Sequence, residues 1–250
     1  ANRATAKSIR KCSEMSATLM LLPGLNCDAA VWAPQVSGLQ GQARCVVPAW
    51  GLRDSLTAMA QQVLDEAPTE RFSVAGHSMG GRVALEVMRL APRRVERLAL
   101  LSTGTHPLAA GEAGEKERTG RMALLKIAQQ QGMRAMAQEW ARGMVHPDRI
   151  GGPVFDEVLA MFDRGSAAQY AAQINALLNR PDAGPLLPGI SCPTLVLTGR
   201  QDSWSGPVQH EAIAAAIPGA QLVIVEDSGH MCTLEQPQVV SAALASWMQR

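Results

Sequence analysis

Little in this chain is charged, and what is charged nearly cancels. Lys plus Arg number 23 against 22 Asp plus Glu, a formal net charge of +1 over 250 residues. Without a net field to recruit a polyanion, nucleic-acid binding and retention on an anionic membrane are both disfavoured. Charged residues make up 18% and hydrophobic ones 47%, where an average soluble domain has roughly 25% charged, so the composition argues for a filled core and against disorder. Cysteine is sparse and unpatterned. Cys12, Cys27, Cys45, Cys192 and Cys232 form no C-x-x-C pair, and an odd number so widely spread is not a secreted disulfide framework. Free thiols in a cytoplasmic protein are the expectation. No long apolar run exists either. The longest charge-free stretch, 183–199, is broken by Pro185, Pro188 and Pro193, and a bilayer span needs about 20 continuous apolar residues. Residues 1–16 are basic and polar, without the apolar segment of a secretory signal, and read as a tail. There is no internal repeat.

What is present is a rhythm. The length fits one large core with an insertion. From Thr18 onward, short apolar runs alternate with segments of helical period, the pattern of a mostly parallel sheet covered on both faces. Strands are predicted at 18–22, 44–47, 71–75, 95–101, 194–198 and 221–225. Helices are predicted at 54–67 with Ser55 as N-cap, at 79–91, 208–217 and 237–249. Between 102 and 188 the strands stop. Apolar residues at helical spacing over 123–144 and 154–178 predict two to four amphipathic helices there. The reading is therefore a core of about six strands over 17–104 and 186–250, with a helical cap over 105–185.

One motif carries chemistry at once. Gly76-His77-Ser78-Met79-Gly80 matches G-x-S-x-G and stands between an apolar strand and an amphipathic helix. A serine on so tight a turn is exposed above the carboxyl end of the sheet, at a helix N-terminus whose N–H groups stabilise a developing anion. A hydroxyl is a poor nucleophile at neutral pH and needs a base, which in turn needs an orienting carboxylate. His230, in the loop between the strand 221–225 and the last helix, is the candidate base. His77 is read as a packing or capping residue, and His106, His146 and His210 fall on the insertion or on a surface helix. Asp202, just past the strand 194–198, is the candidate acid. The N–H of Met79 and that of Leu25, in the turn Pro23-Gly24-Leu25-Asn26 after the first strand, are the candidate oxyanion donors.

Four ordered stretches resemble the α/β-hydrolase superfamily: LLPGLNCDAAVW (21–32), VAGHSMGGRVALEV (74–87), LTGRQD (197–202) and SGHMCTLEQP (228–237). The resemblance covers about 17–250. It implies Ser78 as nucleophile, His230 as base, Asp202 as acid, Leu25 and Met79 as oxyanion donors, and a helical cap over the site. Two departures stand out. Pro23-Gly24 replaces the family's usual His-Gly, which removes a side chain that often braces the oxyanion loop. Only about 16 residues precede Thr18, so the two antiparallel strands that commonly open this fold are expected to be missing or rudimentary.

The resemblance implies a serine hydrolase, and no cofactor or metal is called for. The leading expectation is cleavage of a carboxylic ester of a small, largely apolar substrate, the near-zero net charge fitting an uncharged one. A C–C bond, lactone or acyl-thioester hydrolase with the same three residues is the alternative, and a binding homologue without turnover a further one. Asn26, His106, Trp140, Met144 and Met231 are the candidate substrate contacts. Methionines 122, 133, 136, 144 and 161 either line an adaptable acyl pocket or pack the cap. Arg82, Arg89, Arg93, Arg94 and Arg97 form either a solvated helix face or a dock for an acyl carrier protein.

Overall fold

The computed structural model describes residues 17–250. The first half runs β1 (Ala17–Leu22), α1 (Ala33–Gly38), β2 (Ala43–Val46), α2 (Leu56–Glu66), β3 (Phe72–His77), α3 (Met79–Leu90) and β4 (Val95–Leu101). Four helices follow with no strand among them: α4 (Glu112–Gln131), α5 (Met133–Trp140), α6 (Pro153–Asp163) and α7 (Ala167–Leu178). The chain then returns through β5 (Thr194–Gly199), α8 (Pro207–Ala216), β6 (Gln221–Val225), α9 (Cys232–Glu235) and α10 (Pro237–Met248). All six strands join one sheet in the order β2-β1-β3-β4-β5-β6, every neighbouring pair parallel. This is the helix-flanked parallel sheet that the alternating pattern predicts. The tail and the question of opening antiparallel strands fall on residues 1–16, outside the described residues.

The strands are apolar throughout because both faces are covered. Successive side chains of a strand point to opposite faces. Leu19 and Leu21 accordingly join one core with Trp32, Ala75, Ala99, Leu197 and Trp247, while Met20 and Leu22 join the other with Met59, Val74, Val83 and Leu98. Helices α2 and α3 close the second face, α1 and α10 the first. Local chemistry sets the helix starts. The Ser55 hydroxyl accepts from the Ala58 N–H at 3.1 Å, and Pro153, Pro207 and Pro237 open α6, α8 and α10 at the turn where a missing N–H costs nothing.

Two boundaries differ from the sequence reading. The helical stretch expected over 123–144 begins earlier, at Glu112, and breaks at Gly132, whose φ of 93° no neighbouring side-chain-bearing residue adopts readily. Its first turns are too polar to show an apolar stripe; Glu112 and Glu115 there complement the helix dipole. The strand expected over 71–75 continues to His77, which carries it directly into the serine turn.

Trp247 seals the α10 face. It is fully buried, and its indole N–H donates to the Pro193 carbonyl at 3.1 Å just before β5. Trp247→Ala is expected to lower the unfolding free energy by about 3–5 kcal/mol, measured by urea denaturation; a loss under about 1 kcal/mol would mean that the helix is held mainly by other contacts.

Candidate active site

The carboxyl ends of β3, β5 and β6 bring three distant residues together. Ser78 follows β3 directly and stands at φ 55° and ψ −119°, a left-handed backbone unusual for a residue with a side chain. The turn is held on both sides: the Ser78 N–H donates to the Leu101 carbonyl at 2.9 Å, and its carbonyl accepts from Gly81 N–H at 3.0 Å and from the Thr103 hydroxyl at 2.7 Å. Close backbone approach explains the flanking glycines. A Cβ on Gly76 would strike the Gly80 carbonyl, and one on Gly80 would strike the Leu22 carbonyl of β1.

Ser78 Oγ lies 2.9 Å from His230 Nε2, and His230 Nδ1 lies 2.9 Å from Asp202 Oδ2. A carboxylate only accepts, so Nδ1 carries the proton and Nε2 is free to accept from the serine hydroxyl. Asp202 is itself anchored, its Oδ1 accepting from the N–H groups of Trp204 at 3.0 Å and Ser205 at 2.9 Å. Burial alone would raise its pKa. The charge and hydrogen bond of His230, with the two N–H donors, win and hold the carboxyl well below the usual carboxylate range. His77 has a different role. It is fully buried, and its Nε2 donates to the His230 carbonyl at 2.8 Å. Burial, then the neighbouring His230, push its pKa down to about 3, so it stays neutral. Cys27 and Cys232 are buried thiols pushed up to about 12 by desolvation and remain protonated.

The loops around this array are braced by residues that sequence reasoning missed. Trp50 Nε1–H donates to the Pro23 carbonyl at 3.0 Å, and the Asn26 N–H donates to Gln173 Oε1 of α7 at 2.8 Å. These bonds brace the turn at Pro23-Gly24. Leu25 and Met79 both line the cavity beside Ser78. The histidine loop is gripped by Glu235, at the end of α9. Its Oε1 accepts from Gly229 N–H at 3.0 Å and Met231 N–H at 3.2 Å, and its Oε2 from His146 N–H at 2.7 Å. His210, placed by its sequence on a surface helix, is fully buried: its Nδ1–H meets the Gly206 carbonyl at 3.1 Å and its Nε2 accepts from Thr103 N–H at 3.1 Å.

A cavity of about 730 Å³ opens over Ser78 and His230, walled by α4, α5, α7 and the loops after β1, β4 and β5. Trp140 and Met144 line it, as does Trp204, which stacks on Trp140 at 5.3 Å and tilts over the His230 ring at 5.0 Å. Trp204 stands two residues past Asp202, with no local sequence pattern to mark it. The other candidate contacts lie elsewhere. Met231 is fully buried in the α1–α10 core, because the residue after His230 points away from it. Asn26 is buried outside the cavity lining. His106 is exposed on a neighbouring pocket, and its carbonyl, not its ring, is used, by Arg82 and Arg180. Of the five methionines only Met144 reaches the cavity; Met133, Met136 and Met161 are core and Met122 is exposed. The arginines do not share one face. Arg89 pairs with Glu86 at 2.9 Å, Arg94 donates to the carbonyls of Leu64, Thr69 and Glu70, Arg97 bonds the Arg250 carbonyl, and Arg82 turns into the cavity. There it joins Lys116, Arg121 and Arg180, so the lining is cationic although the chain as a whole is nearly neutral. Among the described residues no group of three or more His, Cys, Asp or Glu could hold a metal ion, and no helix is long and apolar enough to cross a membrane.

A strained serine at a strand-to-helix turn, hydrogen-bonded to a histidine and aspartate from later strand ends of a parallel sheet, defines a class of hydrolytic enzyme. The sequence profile of the Alpha/beta hydrolase family matches residues 19–243, and the chain belongs to that family. Among curated relatives it is similar to the RutD protein of Stutzerimonas stutzeri (strain A1501), named as a carbamate hydrolase, with 25% identity over 88% of this chain and 87% of that one. It is also similar to 2-hydroxy-6-oxononadienedioate/2-hydroxy-6-oxononatrienedioate hydrolase of Escherichia coli (strain K12 / DH10B), with 22% identity over 96% of this chain and 89% of that one. Among solved structures, a thermophilic esterase from Thermogutta terrifontis superposes with a TM-score of 0.83 at 26% identity, covering 94% of this chain and 90% of that one.

Because the Asp202 carboxyl titrates below its unfolded value of about 3.9, the stability it supplies is whole above about pH 5 and drains as the pH falls below about 4. The difference in urea-unfolding free energy between the wild type and Asp202→Asn is therefore expected to shrink as the pH falls below about 4. A difference that grows over that acid range would contradict this assignment.

Proposed function

We propose that the protein is a serine hydrolase that cleaves a carboxylic ester through an acyl-enzyme on Ser78. The observation that carries this reading is the unbroken Ser78–His230–Asp202 array, with both links at 2.9 Å, at the floor of the cavity. As Ser78 Oγ attacks the ester carbonyl, His230 Nε2 takes its proton, and Asp202 stabilises the resulting imidazolium. The carbonyl oxygen becomes an oxyanion that accepts from the Leu25 and Met79 N–H groups, each such donor lowering the barrier by about 3 kcal/mol. Collapse expels the alcohol, which receives the proton from His230 Nε2. A water then gives its proton to the same nitrogen, attacks the acyl-serine, and releases the acid as Ser78 recovers its hydrogen. An apolar portion of the acyl chain finds Leu124, Met144 and Leu177 on the cavity wall.

The same array suits a carbamate, lactone, thioester or C–C bond, and the names of the curated relatives favour keeping these as the second reading. The intact array weighs against a binding homologue without turnover.

p-Nitrophenyl acetate is expected to give a burst of p-nitrophenol that is absent in Ser78→Ala, and a fluorophosphonate probe is expected to add its mass to the peptide carrying Ser78. Asp202→Asn should lower kcat by about 10⁴-fold, since the histidine loses the partner that fixes its tautomer. Turnover that survives Ser78→Ala, or labelling elsewhere, would overturn the reading.

A further inference from the structure

The cavity wall away from His230 concentrates positive charge. Arg82 projects from α3 one turn beyond Ser78, Lys116 and Arg121 project from α4, and Arg180 follows α7. Glu117 is the carboxylate among them and is already shared. Arg180 holds it through a fork at 2.8 and 2.9 Å, and Arg121 Nε meets the same carboxylate at 2.9 Å. Those contacts outweigh its burial and hold the Glu117 carboxyl down at about 2. Arg82 has no ion pair among the described residues. Its guanidinium donates to the His106 carbonyl at 2.8 Å and rests against Gly104, where a Cβ would lie 2.7 Å from Nη2. Its own pKa is pulled to about 9, by burial first and by the Arg180 charge second.

Such a cluster works against folding. A desolvated guanidinium beside two others is unfavourable unless an anion joins it. Within the fold Arg82 and Arg180 both hold the His106 carbonyl, but among the described residues no carboxylate pairs directly with Arg82, and a ligand anion would supply one. A guanidinium fork matches a carboxylate in shape and charge.

We propose that Arg82, supported by Arg121 and Lys116, is a subsite for a carboxylate carried on the acyl part of the substrate, while Arg180 keeps Glu117 from competing for it. The choice of the acyl part rests on the hydrolase reading. The leaving alcohol takes its proton from His230 and so lies on the Trp204 side, which points the acyl chain toward Arg82. Ser78 and Arg82 stand one helical turn apart, a backbone rise of about 6 Å, which favours a short acyl chain. The substrate class is then a monoester of a short dicarboxylic acid, in place of the uncharged ester that net charge alone implies.

The test compares two six-carbon acyl esters, mono-p-nitrophenyl adipate and p-nitrophenyl hexanoate, which differ in the terminal carboxylate. In the wild type, kcat/KM is expected to favour the adipate ester at least tenfold. That ratio should fall at least tenfold in Arg82→Gln and recover in part in Arg82→Lys, which keeps the charge without the fork. Calorimetry on Ser78→Ala separates binding from chemistry: monomethyl adipate should bind at least tenfold more tightly than methyl hexanoate, and the advantage should vanish when Arg82→Gln is added. If Arg82→Gln does not fold, Arg121→Gln takes its place, with the ratio again falling. Equal binding of the two methyl esters, or a ratio unmoved by either variant, overturns the subsite. Tight, Arg82-dependent binding without turnover of either nitrophenyl ester upholds the subsite and overturns the hydrolase reading instead.

Discussion

The site depends on how closely the first turn of α3 is seated on the end of β1. Gly80 lies so near the Leu22 carbonyl that no side chain fits between them, and Gly76 meets the Gly80 carbonyl in the same way. That seating fixes the direction in which β3 turns into the helix and leaves Ser78 with a positive φ. Strain of this kind, of order 1–3 kcal/mol, persists only where the surroundings over-determine it, and here the Leu101 carbonyl and the Thr103 hydroxyl do so. The result places one hydroxyl above the sheet, beside the helix N–H groups and within reach of a histidine 152 residues later.

Around that hydroxyl the charges are sorted with little duplication. His77 and His230 sit with ring centroids 5.2 Å apart, yet only one is available to carry a proton, because burial keeps His77 neutral. The negative charge of Asp202 is fixed behind His230, and the positive charges stand beyond the serine on α3, α4 and the end of α7. A nearly neutral chain thus encloses a polar gradient across one cavity. A sum over the sequence averages that gradient away.

This sorting also explains what the sequence made legible. The six strands, their order of appearance, and Ser78, Asp202 and His230 could be named in advance, since each is written as a local pattern: an apolar run, a G-x-S-x-G turn, a polar loop just past a strand. Contacts made by side-chain direction across distant elements were not. Arg82 reads as one of five basic residues around a helix and its exit until the fold shows that, of the five, it is the one lining the cavity; Trp204 and Gln173 have no local mark at all. Glu235 has no mark either, because its partners are backbone N–H groups, which no sequence displays. Polar helical turns such as those opening α4 escape detection for the converse reason, having no apolar stripe to show.

Three hydrogen bonds join the segment between β4 and β5 to the loops after β1 and β6: Gln173 to the Asn26 N–H, the Met144 carbonyl to the Met231 N–H, and the His146 N–H to Glu235. The part of the chain that shapes the pocket is therefore also scaffolding for the loops that carry Asn26 and His230. In evolutionary terms the two are not freely exchangeable modules. A recombination that imported another relative's helices would alter selectivity and, unless these three partners came with them, loosen the machinery as well, so new specificity in this lineage is more accessible through point changes on the pocket-facing sides of α4, α5 and α7 than through exchange of the whole segment.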